Sequence, residues 1–214
     1  IAGKSIPAKT VGGDYYDFIE LDDDRIVVCL GDVSGKGMPA ALLMSNLQAT
    51  FRGQDLRGLT PSEIMTRANR LLYRSTDPDK FATFFFGFLD SGTDVFHYCN
   101  AGHNNPVIVH RNGGSTLLDR GGLILGALED SEYTDARIGL EKGDTILIYS
   151  DGISEARNSE DEEFGEERLP AEVVAGEGLS ATELTDRIIT VVNRFASGMP
   201  QMDDMTIVVI RRLE

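Results

Sequence analysis

The sequence predicts an α+β fold built from layers of helices and largely antiparallel sheets. Three observations predict it: a hairpin-like pair of apolar runs near the start, two helices announced by the same capping signature, and a succession of short β-type runs bracketed by helices. In chain order, Tyr15 to Leu21 and Arg25 to Val33 read as two strands joined by the acidic turn Asp22, Asp23 and Asp24. After the Gly-rich loop Gly35 to Gly37, Pro39 suits a helix first turn, and Leu43, Leu47 and Phe51 fall on one face of a helix from about Pro39 to Arg52. Thr60-Pro61-Ser62-Glu63 is a capping box, Leu59 and Ile64 flank it as a hydrophobic staple, and the expected apolar stripe is Ile64, Ala68, Leu71 and Leu72. Ser180-Ala181-Thr182-Glu183 repeats the device ahead of the stripe Leu184, Ile188, Val191, Val192 and Phe195. Between these helices lie the expected strands Thr83 to Leu89, Val95 to Asn100, Pro106 to His110, Thr116 to Leu118, Tyr133 to Ile138 and Thr145 to Tyr149, and Met205 to Arg211 forms a last strand.

Length and composition bound what such a fold can do. With 214 residues and 41% hydrophobic content, the chain supports one sizeable core and reads as a single domain spanning 1–214. It opens on Ile1 rather than Met, so it is expected to be the C-terminal part of a longer signalling protein with an upstream sensor or receiver domain. No run approaches the roughly 18 to 20 apolar residues of a membrane span, and a net charge of −15 disfavours both nucleic acid and an anionic membrane surface. Cys29 and Cys99 stand apart in β-type runs, as buried free thiols rather than a disulfide or zinc site, which fits a reduced cytoplasmic compartment. The run Glu160 to Glu163 reads as a solvated loop.

The chemistry is carried by aspartates where β-runs meet turns: Gly12-Gly13-Asp14, Gly31-Asp32-Val33, Ser150-Asp151-Gly152 and Asp203-Asp204-Met205. Aspartate is a poor strand former, and any one of these alone reads as a turn residue or cap. Together they adjoin long apolar runs, Ile26 to Leu30, Ile146 to Tyr149 and Ile207 to Ile210. Core strands ending in carboxylates could gather those carboxylates, which would repel one another unless a divalent cation joined them. All-oxygen ligands select hard ions such as Mg²⁺ or Mn²⁺. Two such ions about 3.5 to 4 Å apart generate a hydroxide nucleophile and clamp phosphate oxygens. Gly31 to Gly37 is not a nucleotide P-loop: only three residues separate Gly31 from Gly35-Lys36, and Gly37 stands where Ser or Thr is required.

The segments VGGDYYDF, GDVSGKGMPAALLMS, NAGHNNP, YSDGISEA and DDMTIVVI, in that order from Val11 to Ile210, resemble the SpoIIE/RsbU branch of the metal-dependent protein phosphatases, the PPM superfamily. The resemblance implies a four-layer α-β-β-α sandwich with two largely antiparallel sheets flanked by helices, and a centre of two Mn²⁺ or Mg²⁺ ions. It implies that Asp32 bridges both ions, that the Val33 carbonyl contacts one, that Asp151 and Asp203 bind the other, and that Asp14 holds metal-bound water. The substrate it implies is a phosphoserine or phosphothreonine on a STAS-domain anti-sigma-factor antagonist in a bacterial partner-switching pathway. The chain departs from the eukaryotic branch, whose DGH sequence at the bridging aspartate carries a proposed general acid; here Asp32-Val33-Ser34 stands instead. The phosphate-binding arginine of that branch has no clear counterpart, Lys9 and Lys36 being the nearby basic candidates. His103, in Ala101-Gly102-His103-Asn104, is a candidate acid or a turn residue, while His97 and His110 read as strand residues without chemistry. The alternative of another class is a catalytically idle module that binds a partner-switching protein; the four intact aspartates favour activity. Specificity is expected in surface loops, Ser154 to Gly165 and Gly53 to Leu59.

Overall fold

A computed structural model describes residues 1–22 and 24–213; Asp23, of the expected acidic turn, lies outside the described residues. The elements run β1 (Ala2–Ile6), β2 (Tyr15–Glu20), β3 (Arg25–Val33), α1 (Met38–Arg52), α2 (Pro61–Ser75), β4 (Ala82–Asp90), β5 (Val95–Ala101), β6 (Val107–Val109), β7 (Ser115–Leu117), β8 (Gly121–Gly122), β9 (Ala136–Gly139), β10 (Thr145–Tyr149), α3 (Asp151–Ser154), α4 (Leu169–Ala175), α5 (Ala181–Ala196) and β11 (Met205–Arg211). They form two compact units, one made of residues 11–103 and 119–140, the other of 1–10, 104–118 and 141–214.

The unit of residues 11–103 and 119–140 carries a sheet ordered β2-β3-β4-β5-β8, with β9 also paired to β5. All its pairings are antiparallel except β5 with β8. One face of β3 and β4, through Val27, Cys29, Phe84 and Phe86, packs on Leu43, Leu47 and Phe51 of α1 and on Ile64, Met65, Ala68 and Leu72 of α2. Phe51 stacks flat on Phe84 with ring centroids 4.1 Å apart. Gly31 leaves room for that ring: a Cβ there would lie 2.2 Å from Phe84 Cδ2. The side chains that alternate with these, Val28, Leu30 and Phe85, are buried too, which is why β3 and β4 read as continuous apolar runs.

Helix α2 opens on the expected box: the Thr60 side chain accepts from Glu63 N and Glu63 Oε2 accepts from Thr60 N. The expected stripe needs one correction. Leu71 is exposed, and the inward positions are Met65 and Asn69; the buried arc centres between Met65 and Leu72, so position 71 falls to its rim. Asn69 is fully enclosed because its amide is satisfied on all sides, donating to the carbonyls of Leu128 and Glu129 and accepting from Gly126 N.

The other unit has a five-stranded antiparallel sheet ordered β1-β11-β10-β6-β7. Leu147, Tyr149, Ile207 and Val209 pack with Leu184, Ile188 and Val192 of α5 and with Leu169 and Val173 of α4. Ser180 and Glu183 close the second capping box. Val191 and Phe195, expected in the α5 stripe, are only partly buried against this core, whereas Thr185 and Ile189 are fully inside. Expected strand Tyr133 to Ile138 is shorter than its apolar pattern, pairing with β5 only over Ala136–Gly139. Both cysteines are buried free thiols, and burial pushes them up, Cys99 to about 12. Among the described residues no helix is long and apolar enough to cross a membrane.

Candidate metal centre

Asp32 is the penultimate residue of β3, and Asp14 immediately precedes β2. The pairing of Tyr15 with Gly31 sets the two aspartate-bearing segments beside one another. Gly13 tightens the approach: a Cβ there would meet the Val33 carbonyl oxygen and Val33 Cγ2 at 3.2 Å each and Ala40 at 3.3 Å. The Gly13-Asp14 segment is thus fitted against the Val33 carbonyl and the first turn of α1. Both carboxylates are half-buried. Beyond Val33 the chain turns through Gly35 and Gly37, both at positive φ (101° and 75°), and carries Lys36 exposed between them.

In the other unit, β10 ends at Tyr149, and Asp151 begins the single turn α3. Ser150 joins this turn to the segment entering β11: its Oγ donates to Asp204 O and accepts from Thr206 N, both at 3.0 Å, and its own N–H donates to Thr206 O. Gly152 sits hard against the same segment, since a Cβ there would lie 2.2 Å from Asp204 O. Asp203 is half-buried and Asp204 buried. Asp204 Oδ1 accepts from Ala8 N at 2.7 Å, tying the chain after β1 to this segment, while Gln201 donates to the carbonyls of Asp203 and Ile6.

Like charges act on one another here. Burial, then the carboxylates of Asp151 and Glu163 and more weakly Asp203, push the Glu155 carboxyl above its usual range, with Arg157 opposing. Glu155 was not among the expected site residues; its i, i+4 spacing from Asp151 on a turn too short to read from sequence is the signal that would have found it. A divalent cation relieves such repulsion, and oxygen donors of the kind each unit carries, Asp14, Asp32 and the Val33 carbonyl in one and Asp151 and Asp203 in the other, are those that hard ions such as Mg²⁺ or Mn²⁺ prefer. Within neither unit, among the described residues, do three His, Cys, Asp or Glu side chains form a group arranged to hold a metal.

A family model described as Stage II sporulation protein E (SpoIIE) matches residues 22–213. The chain belongs to the SpoIIE family. That one match runs through both compact units. Among SpoIIE-like relatives, the phosphoserine phosphatase RsbU of Bacillus subtilis is 33% identical over 216 residues, covering 99% of this chain and 63% of its own. The chain thus spans less than two thirds of that relative. The fold is that of PP2C phosphatase domains: the SiaA PP2C domain of Pseudomonas aeruginosa superposes with a TM-score of 0.86 at 19% identity, over 98% of this chain and 85% of that one. The catalytic domain of the serine/threonine phosphatase PstP, solved with two manganese ions, has a TM-score of 0.72 at 16% identity, over 100% and 97% of the two chains.

The histidines fall out differently from one another. His103 is buried, with its backbone gripped by Asn100 and its Nδ1 2.9 Å from Thr83 Oγ1. His97 meets Asp135 at 2.9 Å, and the same carboxylate receives Ser62 of α2, linking β5 to that helix. His110, just past β6, lies between Asp144 and Thr116. The acidic run Glu160 to Glu163 is exposed, as expected, and folded back by Arg157, which pairs with Asp161 and Glu163.

Proposed function

We propose that the chain is a metal-dependent phosphoserine/phosphothreonine protein phosphatase whose two Mn²⁺ or Mg²⁺ ions are held by Asp32, the Val33 carbonyl, Asp151 and Asp203, with Asp14 as an outer partner. The observation that carries this reading is that aspartates stand at all four strand ends, in a chain 33% identical to a phosphoserine phosphatase across 99% of its length. The manganese-bearing PstP domain of the same fold supports the choice of ion.

When bound, ions of this kind supply a nucleophile at neutral pH and neutralise charge building up on the phosphoryl group. The chain's own residues hold the carboxylates in place. Gly13 and Gly152 let backbone carbonyls approach, and Ser150 locks the turn bearing Asp151 to the segment bearing Asp203. Such a centre reads only the phosphate, so recognition of the protein substrate falls to surface loops, in particular 154–165. The proposed substrate is a phosphorylated STAS-domain antagonist in a partner-switching pathway, as the resemblance of the sequence motifs implies, and the proposed setting is cytoplasmic, under an upstream sensor or receiver domain. Buried free thiols fit that compartment.

The test is hydrolysis of p-nitrophenyl phosphate and of a phosphoserine STAS protein with and without Mn²⁺, comparing wild type with Asp32→Asn and Asp151→Asn. Mn²⁺-dependent turnover that falls to the chelator-treated level in either variant is expected. Absence of turnover in folded, Mn²⁺-saturated wild type would replace the enzyme with a partner-binding module.

A further inference from the structure

β10 leads into Asp151 and β11 follows Asp203, so the opposite ends of these two strands, at Thr145 and Arg211, meet away from both aspartates. β6 joins them there, with Val109 paired to Thr145. Around these three strand ends, and walled by the turn after α4, the unit holds a cavity of about 280 Å³. That is close to the lower limit of about 300 Å³ for small-molecule sites. Val109 and Val173, both buried, and Leu179 give it an apolar wall.

The charged lining is Arg111, Arg211 and Arg212 against one carboxylate, Glu177. In a chain whose acidic residues outnumber its basic ones 35 to 20, this cavity reverses the sign of the molecule around it. Its arginines are also held in place. Arg211 Nη1 donates to the carbonyls of Gly176 and Leu179. Those acceptors are neutral, so they orient the guanidinium without cancelling its charge, and its fork carries further N–H donors. Arg212 is fixed through its backbone, donating to Asp144 O at 2.9 Å and accepting from Gly143 N at 2.8 Å. Arg111 lies across Gly143, which stands at φ 93° and where a Cβ would come within 3.1 Å of Arg111 Cδ. The neighbouring His110 is committed to Asp144 and Thr116.

Guanidinium forks bind planar or tetrahedral oxyanions through parallel hydrogen bonds, and the buried valines suit a hydrocarbon body. The geometry points to this cavity as a binding site for a small amphiphilic oxyanion, a carboxylate or phosphate head on a short apolar body. The site lies at the far end of the strands from Asp151 and Asp203 and does not depend on the two-ion reading above.

Calorimetry on the metal-free protein in chelator tests it with four probes. Octanoate and octyl phosphate share a body and differ in head; acetate is a head alone and 1-octanol a body alone. Expected is one site for octanoate or octyl phosphate, at least about 10-fold tighter than acetate or octanol, the size of effect that hydrogen bonds to a charged group supply. The tighter of the two identifies the head. Arg111→Gln and Arg212→Gln should each weaken that binding about 10-fold, while Arg70→Gln, which removes an exposed charge from α2, should leave it unchanged. Methyl spectra should show shifts at Val109, Val173 and Leu179, and melting curves confirm that each variant folds. Octanol binding as tightly as octanoate would overturn the proposal, as would unchanged affinity in both folded arginine variants, or no binding of either octyl anion.

Discussion

Gly152 follows a proposed ligand and has no room for a side chain, because the Asp204 carbonyl occupies the space a methyl would need. Gly152→Ala must push the α3 turn off the segment that leads into β11, carrying Asp151 away from Asp203. A loss of about 1–3 kcal/mol in urea unfolding is expected from such overpacking, together with weaker Mn²⁺ uptake; a variant of unchanged stability and affinity would show that the contact relaxes freely. At this scale the sequence was informative where chemistry is declared by residue type. Aspartates interrupting apolar runs were readable as a group, and so were the glycines beside them. Ser150 and the Thr83–His103 contact were not, since each acquires its partner from a residue distant in the chain, and Glu155 was not, since the turn that sets it four residues from Asp151 is too short to show a periodicity.

Among the elements, α1 is fastened at its last residue. Arg52 grips Asp17 of β2 through two hydrogen bonds of 2.6 Å. Burial opposes the charge on Asp17, but hydrogen bonds from Arg52 and Tyr15 outweigh it and hold the carboxyl below its usual range. A carboxyl depressed in the folded state contributes stability that is present above its unfolded value of about 3.9 and is lost as pH falls through the depressed folded value. Acid unfolding of wild type should therefore steepen below about pH 4, and Arg52→Met should be less stable at pH 7 with a shallower loss over that interval. Equal slopes would rule out this ion pair as the cause. Helices α2 and α5 were legible because two capping boxes mark their starts, and β3, β10 and β11 because burial on both faces leaves unbroken apolar runs. The strand β1, with its Lys4 and Ser5, carries no such run and takes its conformation from pairing with β11. Strand β8 is two glycines, one of which lies so close to the β5 backbone that a Cβ would fall 1.6 Å from Asn100 O. Helices α3 and α4 are too short for a periodicity to show.

For the molecule as a whole, a charge of −15 means that binding divalent cations answers a general excess of carboxylate as well as a local one. If the ions bind only the folded chain, Mn²⁺ at 100 times its dissociation constant should add about 2.7 kcal/mol to stability. Melting curves with Mn²⁺ and with chelator should separate for wild type and converge for Asp151→Asn; monovalent salt at matched ionic strength controls for general screening. The first strand pairs with the last, and β1 forms the outer edge of its sheet. Behind it, Ile207, Val208 and Val209 of β11 are fully buried. Residues 1–6 therefore cover the β11 edge: removing them would bare a row of hydrogen-bonding groups on an apolar strand, a template for other chains to add to, and light scattering should record more concentration-dependent association than with β1 in place.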